Sequence, residues 1–129
     1  MNKYKSNFER QVAQTLRKKK IKFGYETQKF PFLQPEKART YTPDFELPVV
    51  GTFVECKGKL TKAERDKLIW VRDQNPNLRL IILFMRAKNF IRKGSPTRYS
   101  DWADKNGFLW ADWETGTNFK ELITKEPKK

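Results

Sequence analysis

Two carboxylates and one lysine stand at a spacing that suits chemistry on phosphate esters. Ten residues separate Asp44 from Glu55, and one residue separates Glu55 from Lys57. Alternate side chains of a β-strand share a face, so Glu55 and Lys57 would project together about 6.7 Å apart. Carboxylates that converge on one point repel unless a cation lies between them, and hard oxygen ligands suit Mg²⁺ or Mn²⁺. The pattern predicts a metal site; the alternative is a surface salt-bridge ladder.

The chemistry expected of such a site is hydrolysis of a phosphodiester with one or two divalent ions. A bound ion polarises a phosphoryl oxygen and lowers the pKa of a water molecule. Lys57 would orient or help to deprotonate that water, or stabilise the charge on the phosphorane. The chain has no histidine, which excludes catalytic triads and every mechanism with a histidine general base.

The charge of the chain points to an anionic partner. Lys and Arg number 28 against 15 Asp and Glu, a formal net charge of +13, and nucleic acid is the first candidate for so basic a chain. The alternative is a protein with a merely basic surface.

No membrane partner is expected, because the longest apolar run, Leu80 to Met85, is too short to span a bilayer. The single cysteine, Cys56, and the lack of a signal-peptide pattern fit a reducing compartment.

The helices and strands that must position these residues are predicted from the spacing of apolar residues and from helix-capping motifs. Capping boxes at Ser6 and Thr61 predict two helices, the second running to about Asn75. A short helix ending at Gly107 and a weak helix at 119–123 complete the set. Strands are predicted at 21–32 in part, 41–47, 52–57, 78–85 and 108–111.

This layout predicts a single α/β domain over residues 1–129, with a mixed central sheet flanked by helices. The strands at 41–47 and 52–57 are joined by a turn at 48–51, so Asp44 would lie beside Glu55 across a hairpin. Trp102 and Trp110 fall on apolar faces and are expected in the core. Residues 126–129 are expected to be a loose basic tail.

A proline-bounded segment, residues 31–43, is the unusual connection in this layout. Pro31, Pro35 and Pro43 disfavour helix and leave the chain extended. An extended connector between two halves of a small chain invites strand exchange between protomers. The alternative is an ordinary surface loop.

Cations and hydroxyls are concentrated in a loop predicted at residues 86–98 and just after the strand that carries Glu55. Main-chain amides and hydroxyls suit phosphate oxygens, and cations supply affinity without reading sequence. The alternative is a solvated basic loop. The candidate DNA-binding residues are Lys59, Lys62, Arg86, Lys88, Arg92, Lys93, Ser95, Thr97 and Arg98.

The Asp-(x)n-Glu-x-Lys spacing is the pattern of PD-(D/E)xK nucleases, and longer motifs around it are more specific. They are Tyr41-Thr42-Pro43-Asp44-Phe45, Phe53-Val54-Glu55-Cys56-Lys57-Gly58 and Lys93-Gly94-Ser95-Pro96-Thr97-x-Tyr99, with Ser6-x-x-Glu9 and Ile21-Lys22-Phe23-x-Tyr25-Glu26 before them. In these motifs the chain resembles the endonuclease I family of short-tailed phages, which are four-way (Holliday) junction resolvases. The resemblance runs from about Ser6 to Ala111.

The resemblance implies a restriction-endonuclease-like PD-(D/E)xK core in a strand-exchanged homodimer that cuts branched DNA with Mg²⁺ or Mn²⁺. Asp44 and Glu55 would bind metal, the main-chain carbonyl of Cys56 would be a further ligand, and Lys57 would assist the water. Glu9 would be a catalytic and metal-binding carboxylate that completes the partner's site. The alternative for Glu9 is structural, since it fills the third helical position of the first capping box. The setting implied is the cytoplasm of the infected bacterial host.

Two other functions remain open. One is a sequence- or lesion-specific PD-(D/E)xK nuclease, although so short a chain shows no extra domain for base reading. The other is a basic protein that binds DNA without cutting it, for which Asp44 would be dispensable.

Overall fold

The chain forms a mixed sheet with helices on both faces, as the alternation of helical and strand patterns predicted. The computed structural model describes residues 3–125, so the predicted tail at 126–129 lies outside the described residues. The elements are α1 (Asn7–Lys18), β1 (Gly24–Tyr25), β2 (Phe30–Gln34), β3 (Lys37–Tyr41), β4 (Phe45–Leu47), β5 (Thr52–Lys57), α2 (Lys62–Gln74), β6 (Leu80–Phe84), α3 (Tyr99–Lys105), β7 (Leu109–Asp112) and α4 (Phe119–Thr124).

The five-stranded sheet has the order β1-β4-β5-β6-β7. β4 pairs antiparallel with both β1 and β5, whereas β5, β6 and β7 are parallel to one another. Helix α2 connects β5 to β6, and α3 connects β6 to β7. The parallel strands therefore all end at one side of the sheet, which we call the carboxyl edge. Ligands of open α/β sheets bind outside such an edge.

The core has two halves, one on each face of the sheet. Along β5, Val54 and Cys56 pack with α1 and α4, while Phe53 packs on the other face with α2 and α3. This alternation is the one predicted for the strand. All five residues of β6 are buried, because that strand lies between β5 and β7 and is covered on both faces. Trp102 is buried and Trp110 packs against the same cluster, which confirms both as core residues.

Helix starts were predicted well because caps are local signals. Ser6 caps α1 and Thr61 caps α2, and the C-cap of α2 is Asn75. In α3 the C-cap is Asn106, and Gly107 follows it with φ of +75°, a conformation that favours glycine. Among residues 3–125, none of the helices is both long enough and apolar enough to cross a bilayer.

Two strand predictions were wrong in extent. Within 21–32, only Gly24–Tyr25 is a strand before β2 begins at Phe30, because Glu26 turns the chain with φ of +51°. The predicted strand at 41–47 is broken between Tyr41 and Phe45. Pro43 lies in that break, where it has no N–H to give to a sheet.

The proline-bounded segment forms a hairpin. β2 and β3 pair antiparallel from Phe30↔Tyr41 to Gln34↔Lys37, which leaves Pro35 and Glu36 as a two-residue turn. Glu36 has φ of +64°, a left-handed conformation that costs energy for a residue with a side chain. The hairpin lies against the end of α2, where Gln74 Nε2 donates to Leu33 O at 2.8 Å.

Candidate active site at the carboxyl edge

Asp44 and Glu55 lie side by side in a buried position, as the hairpin geometry predicted. The register pairs Phe45 with Val54, so Asp44 stands opposite Glu55. Cys56 N donates to Asp44 Oδ2 at 2.8 Å, and Asp44 and Glu55 are 6% and 7% exposed. Burial, together with the negative charge of Glu55, raises the pKa of Asp44 to about 8.

Lys57 lies between two carboxylates. Its Nζ is 3.1 Å from Glu55 Oε2 and 2.5 Å from Glu64 Oε2, and its side chain is only 12% exposed. Burial acts to lower the pKa of Lys57, but Glu55 and Glu64 outweigh it and the pKa is raised. An ion pair does exist on β5, as the salt-bridge interpretation supposed, but it is enclosed rather than part of a surface ladder.

Tyr41 holds the second oxygen of Glu55. The Tyr41 hydroxyl donates to Glu55 Oε1 at 2.6 Å, and the ring is 2% exposed. Burial and the charge of Glu55 raise the pKa of Tyr41 well above its usual range. One oxygen of Glu55 therefore faces Tyr41 and the other faces Lys57, which restricts the rotation of the carboxylate.

Glu9 is both the third helical residue of α1 and a neighbour of the site. Its backbone N donates to Ser6 Oγ at 3.1 Å, which is the predicted cap. Its carboxylate Oε1 accepts from the Tyr25 hydroxyl at 2.5 Å and from Lys5 N at 3.4 Å. The charge of Glu9 also contributes to raising the pKa of Asp44. Within a single chain, the Glu9 carboxylate is therefore held by Lys5 and Tyr25, and its charge acts on Asp44.

Glu64 has the same two kinds of contact in α2, with its backbone in the helix cap and its carboxylate at the site. Its backbone N donates to Thr61 Oγ1 at 3.2 Å, while its carboxylate pairs with Lys57. Sequence reasoning identified Glu64 only as part of a capping box and did not assign it to the site. Tyr25 and Tyr41 were also missed as site residues. Each of the three reaches the site through a tertiary contact that local spacing does not report.

The oxygen donors at this edge fit a divalent ion. Extended strands direct the N–H and C=O of one residue to the same side, so the Cys56 carbonyl faces Asp44, as the Cys56 N–H does. Within residues 3–125, no three Asp, Glu, Cys or His side chains form a group that could hold a metal ion. Glu9, the third predicted carboxylate ligand, does not form such a group with Asp44 and Glu55 in a single chain. The oxygen atoms that remain for a metal ion are two buried carboxylates, Asp44 and Glu55, and one carbonyl, all of the hard kind that divalent ions prefer.

The predicted DNA-binding cations are exposed and follow the ends of β5 and β6. Lys59 lies between β5 and α2, Lys62 is the first residue of α2, and Lys62 Nζ pairs with Asp66 at 2.8 Å. Arg86 and Lys88 both pair with Glu114, at 3.1 and 3.2 Å. The remaining exposed cations of the set are Arg92, Lys93 and Arg98. β5 and β6 are parallel, so both groups of cations start from the carboxyl edge, next to Lys57.

The loop at residues 86–98 is ordered by its own backbone. Ile91 N donates to Thr97 O at 2.9 Å and Tyr99 N donates to Asn89 O at 2.7 Å, around an antiparallel bridge between Phe90 and Arg98. Ser95 Oγ accepts from Thr97 N at 3.1 Å. Ser95 and Thr97 are half-buried. We call this ordered segment the basic loop.

Comparison with known proteins identifies the class to which this fold and site belong. A family model described as Phage endonuclease I matches residues 1–126, and the chain therefore belongs to that family. It is 39% identical over 130 residues to "Endodeoxyribonuclease 1" of Enterobacteria phage T3, an alignment that covers 98% of this chain and 80% of that protein. It is 40% identical over 130 residues to "Endonuclease I" of Escherichia phage T7, over 98% and 81% of the two chains. The resemblance found in the motifs is confirmed.

Proposed function

We propose that this protein is a metal-dependent DNA endonuclease with a PD-(D/E)xK core, selective for four-way junctions and other branched DNA, which it resolves by paired nicks. The observation that carries the proposal is the buried group of Asp44, Glu55 and Lys57 at an edge from which exposed cations extend. Family membership supports nuclease chemistry, since both relatives are named as endonucleases. Branch selectivity rests on the motif resemblance.

The residues of this chain would divide the work of hydrolysis. Asp44, Glu55 and the Cys56 carbonyl would hold Mg²⁺ or Mn²⁺, which when bound polarises a phosphoryl oxygen and lowers the pKa of water. The Lys57 ammonium would stabilise charge on the phosphate or orient the water. Tyr41 holds Glu55 in place, and such positioning preserves reactive geometry without itself touching substrate.

The cations at the carboxyl edge would bind the DNA backbone on either side of the scissile phosphate. They supply affinity that depends on salt and is indifferent to sequence. Selectivity for a branch would then come from the fixed separation of the two active sites in a dimer. It would not come from contacts that read the bases. No additional domain for base reading is present in residues 3–125, which favours structure selectivity over the sequence-specific alternative.

We propose that two chains exchange their N-terminal parts at the turn formed by Pro35 and Glu36. Each pair in the hairpin joins residues equally distant from this turn, so straightening the turn lets the same pairs form between two chains. The pairing of β1 with β4 and the electrostatic effect of Glu9 on Asp44 would then act between chains, whereas the hydrogen bonds of Glu9 with Lys5 and Tyr25 would stay within one chain. A two-fold dimer presents two equivalent sites at a fixed separation, as paired nicks require.

The direct test is cleavage of a synthetic four-way junction in Mg²⁺, with linear duplex of the same sequence as the comparison substrate. We expect Asp44→Asn and Glu55→Gln to abolish cutting while junction binding is retained, because the changes remove metal-binding charge from a buried site. EDTA should have the same effect on the unmodified protein. Asp73→Asn, on the exposed surface of α2, is the matched control and should cut normally.

Each part of the proposal has an outcome that contradicts it. Equal cutting of duplex and junction would remove branch selectivity, and cut positions that follow sequence would favour a sequence-specific nuclease. Cleavage that survives both Asp44→Asn and Glu55→Gln would place the chemistry elsewhere. Tight junction binding with no cutting by the unmodified protein in either metal would indicate the architectural alternative.

A further inference from the structure

The basic loop contains an open depression of about 640 Å³ whose exposed aromatic side chain the proposed hydrolysis does not use. Its lining includes four cationic residues and two aromatic residues, and the aromatic residues are Phe90 and the buried Tyr99. The cationic residues are Lys88, Arg92, Lys93 and Arg98. Such a mixture of cations and an aromatic ring suits a ligand that carries both phosphate and a flat apolar surface.

Phe90 is the feature that basic charge alone does not explain. Its side chain is 47% exposed, so it contributes little to the core. The guanidinium carbon of Arg98 lies 4.6 Å from the centre of the Phe90 ring, within the range of a cation–π contact. One face of the ring is therefore stacked on a cation, and the exposed part of the ring is open to a second partner.

Arg98 is fixed where it stacks. Its Nη1 donates to Lys88 O at 2.7 Å, and its backbone N donates to Asp101 Oδ2 at 2.9 Å. The antiparallel bridge between Phe90 and Arg98 holds the two backbones together. The guanidinium is thus held over the Phe90 ring before any ligand arrives, which lowers the entropy cost of binding.

We propose that Phe90, stacked on Arg98, is a platform for one unpaired base of a DNA strand whose phosphates are held by Lys88, Arg92 and Lys93. Aromatic stacking beside a track of cations is how proteins bind single-stranded nucleic acid. The choice of DNA as the polymer rests on the proposed function. Duplex DNA hides its base faces, so this platform takes a nucleotide only where pairing is broken, as at a branch point, a flap or a gap.

The test is binding of a short fluorescein-labelled single-stranded oligonucleotide in EDTA, followed by fluorescence anisotropy over a range of salt concentrations. Phe90→Ala should weaken binding roughly 5- to 100-fold, the range for losing one stacked base. The dependence of affinity on salt should be unchanged, because no phosphate contact is lost. Phe90→Trp should bind as well as the unmodified protein, because it preserves an aromatic face.

Two comparison variants separate stacking from charge and from exposed surface in general. Lys93→Ala should lower the salt slope by about one, as expected for a single phosphate contact, which Phe90→Ala should not do. Leu33→Ala removes an apolar side chain that is 60% exposed on the β2–β3 hairpin, and it should bind normally. A 2-aminopurine base in the oligonucleotide should also lose fluorescence on binding the unmodified protein, and less on binding Phe90→Ala.

The platform is overturned if Phe90→Ala binds the oligonucleotide like the unmodified protein, or if Phe90→Trp is as weak as Phe90→Ala. It is overturned as well if the unmodified protein binds single strands no more tightly than duplex of equal length. Junction cleavage is measured separately in Mg²⁺. Failure of the unmodified protein to cut junctions contradicts the proposed function and leaves the binding comparison intact.

Discussion

Lys57 is held by two carboxylates, and only Glu55 belongs to the motif that sequence spacing reveals. Glu64 comes from the first turn of α2, and its Oε2 lies 2.5 Å from Lys57 Nζ. Removing the charge of Glu64 would leave Lys57 attached to Glu55 alone. Since reaction rates fall steeply when a reactive group is misplaced by about an ångström, we propose that Glu64 positions Lys57 for the proposed hydrolysis.

We expect Glu64→Gln to lower kcat for junction cleavage roughly 10-fold or more with little change in KM, because the contact orients Lys57 and does not bind DNA. Glu64→Asp, which keeps the charge, should recover part of the loss. The matched control is Asp66→Asn, which removes the exposed partner of Lys62 in the same helix. An equal loss in the control, or a change confined to KM, would contradict the assignment.

At this scale, the sequence was sufficient where chemistry and local spacing coincide. Asp44, Glu55 and Lys57 were found because strand alternation and a short turn determine their relative positions. Tyr25, Tyr41 and Glu64 were not found, because each contacts the site from an element whose packing depends on the whole core. The capping boxes predicted helix starts at Ser6 and Thr61, but the second box did not reveal that the Glu64 carboxylate pairs with Lys57.

At the scale of elements, the basic loop is attached to the sheet through Asp112 at the end of β7. Asp112 Oδ1 accepts from Ala87 N at 2.8 Å, and Oδ2 accepts from Thr115 N and Oγ1 at 3.0 and 2.6 Å. Burial acts to raise the pKa of Asp112, but these hydrogen bonds outweigh it and the pKa is lowered. The ionised carboxylate therefore joins the start of the basic loop to the segment that follows β7.

Asp112→Asn should lower the free energy of unfolding by about 1–3 kcal/mol at neutral pH, because charged acceptors are lost from a buried site. The folded pKa lies below the unfolded value, so this contribution is complete above the unfolded pKa and disappears as pH falls through the folded pKa. The difference in free energy of unfolding between Asp112→Asn and the unmodified protein should therefore shrink as the pH is lowered toward 3, as measured by urea unfolding. Asp73→Asn should show no comparable loss; a difference that stays constant with pH would contradict the account.

The elements themselves were largely predictable, with boundaries as the weak point. β6 was recognised from its continuous apolar run, because a strand covered on both faces has no polar side. The strand at 21–32 was overestimated because nothing in its alternation signals the left-handed conformation of Glu26. The hairpin at β2 and β3 was predicted only as extended chain, since prolines indicate extension without specifying a pairing partner.

At the scale of the whole molecule, the proposed exchange makes the two-residue turn at Pro35 the point at which the N-terminal part would pack on its own chain or on a second one. A short turn that contains a residue in a strained conformation favours strand exchange between chains. A longer turn relieves the strain and so favours packing within one chain. We expect the unmodified protein to sediment as a dimer at micromolar concentration. Insertion of three glycines between Pro35 and Glu36 should shift it toward monomer in analytical ultracentrifugation.

The matched control carries the same insertion between Pro48 and Val49, in the turn between β4 and β5, where Val49 is 73% exposed. This turn does not join the two exchanging parts, so the control should remain dimeric. Monomer for the unmodified protein, or identical sedimentation of both insertion variants, would count against exchange at Pro35. The overall α/β layout was predictable from the order of elements, whereas the partner of the N-terminal part depends on free energies that periodicity does not contain.

In the proposed exchanged dimer, with Glu9 in the catalytic role that the motif resemblance implies, the turn would also determine how defects in two copies of the chain combine. Glu9 lies before Pro35, and Asp44 lies after it, so in an exchanged dimer each site takes Glu9 from one copy and Asp44 from the other. A copy lacking Glu9 and a copy lacking Asp44 would together assemble one site with both defects and one site with none. Two inactive variants altered on opposite sides of the turn would therefore restore a single nick when mixed in one dimer. Two variants altered on the same side of the turn would not.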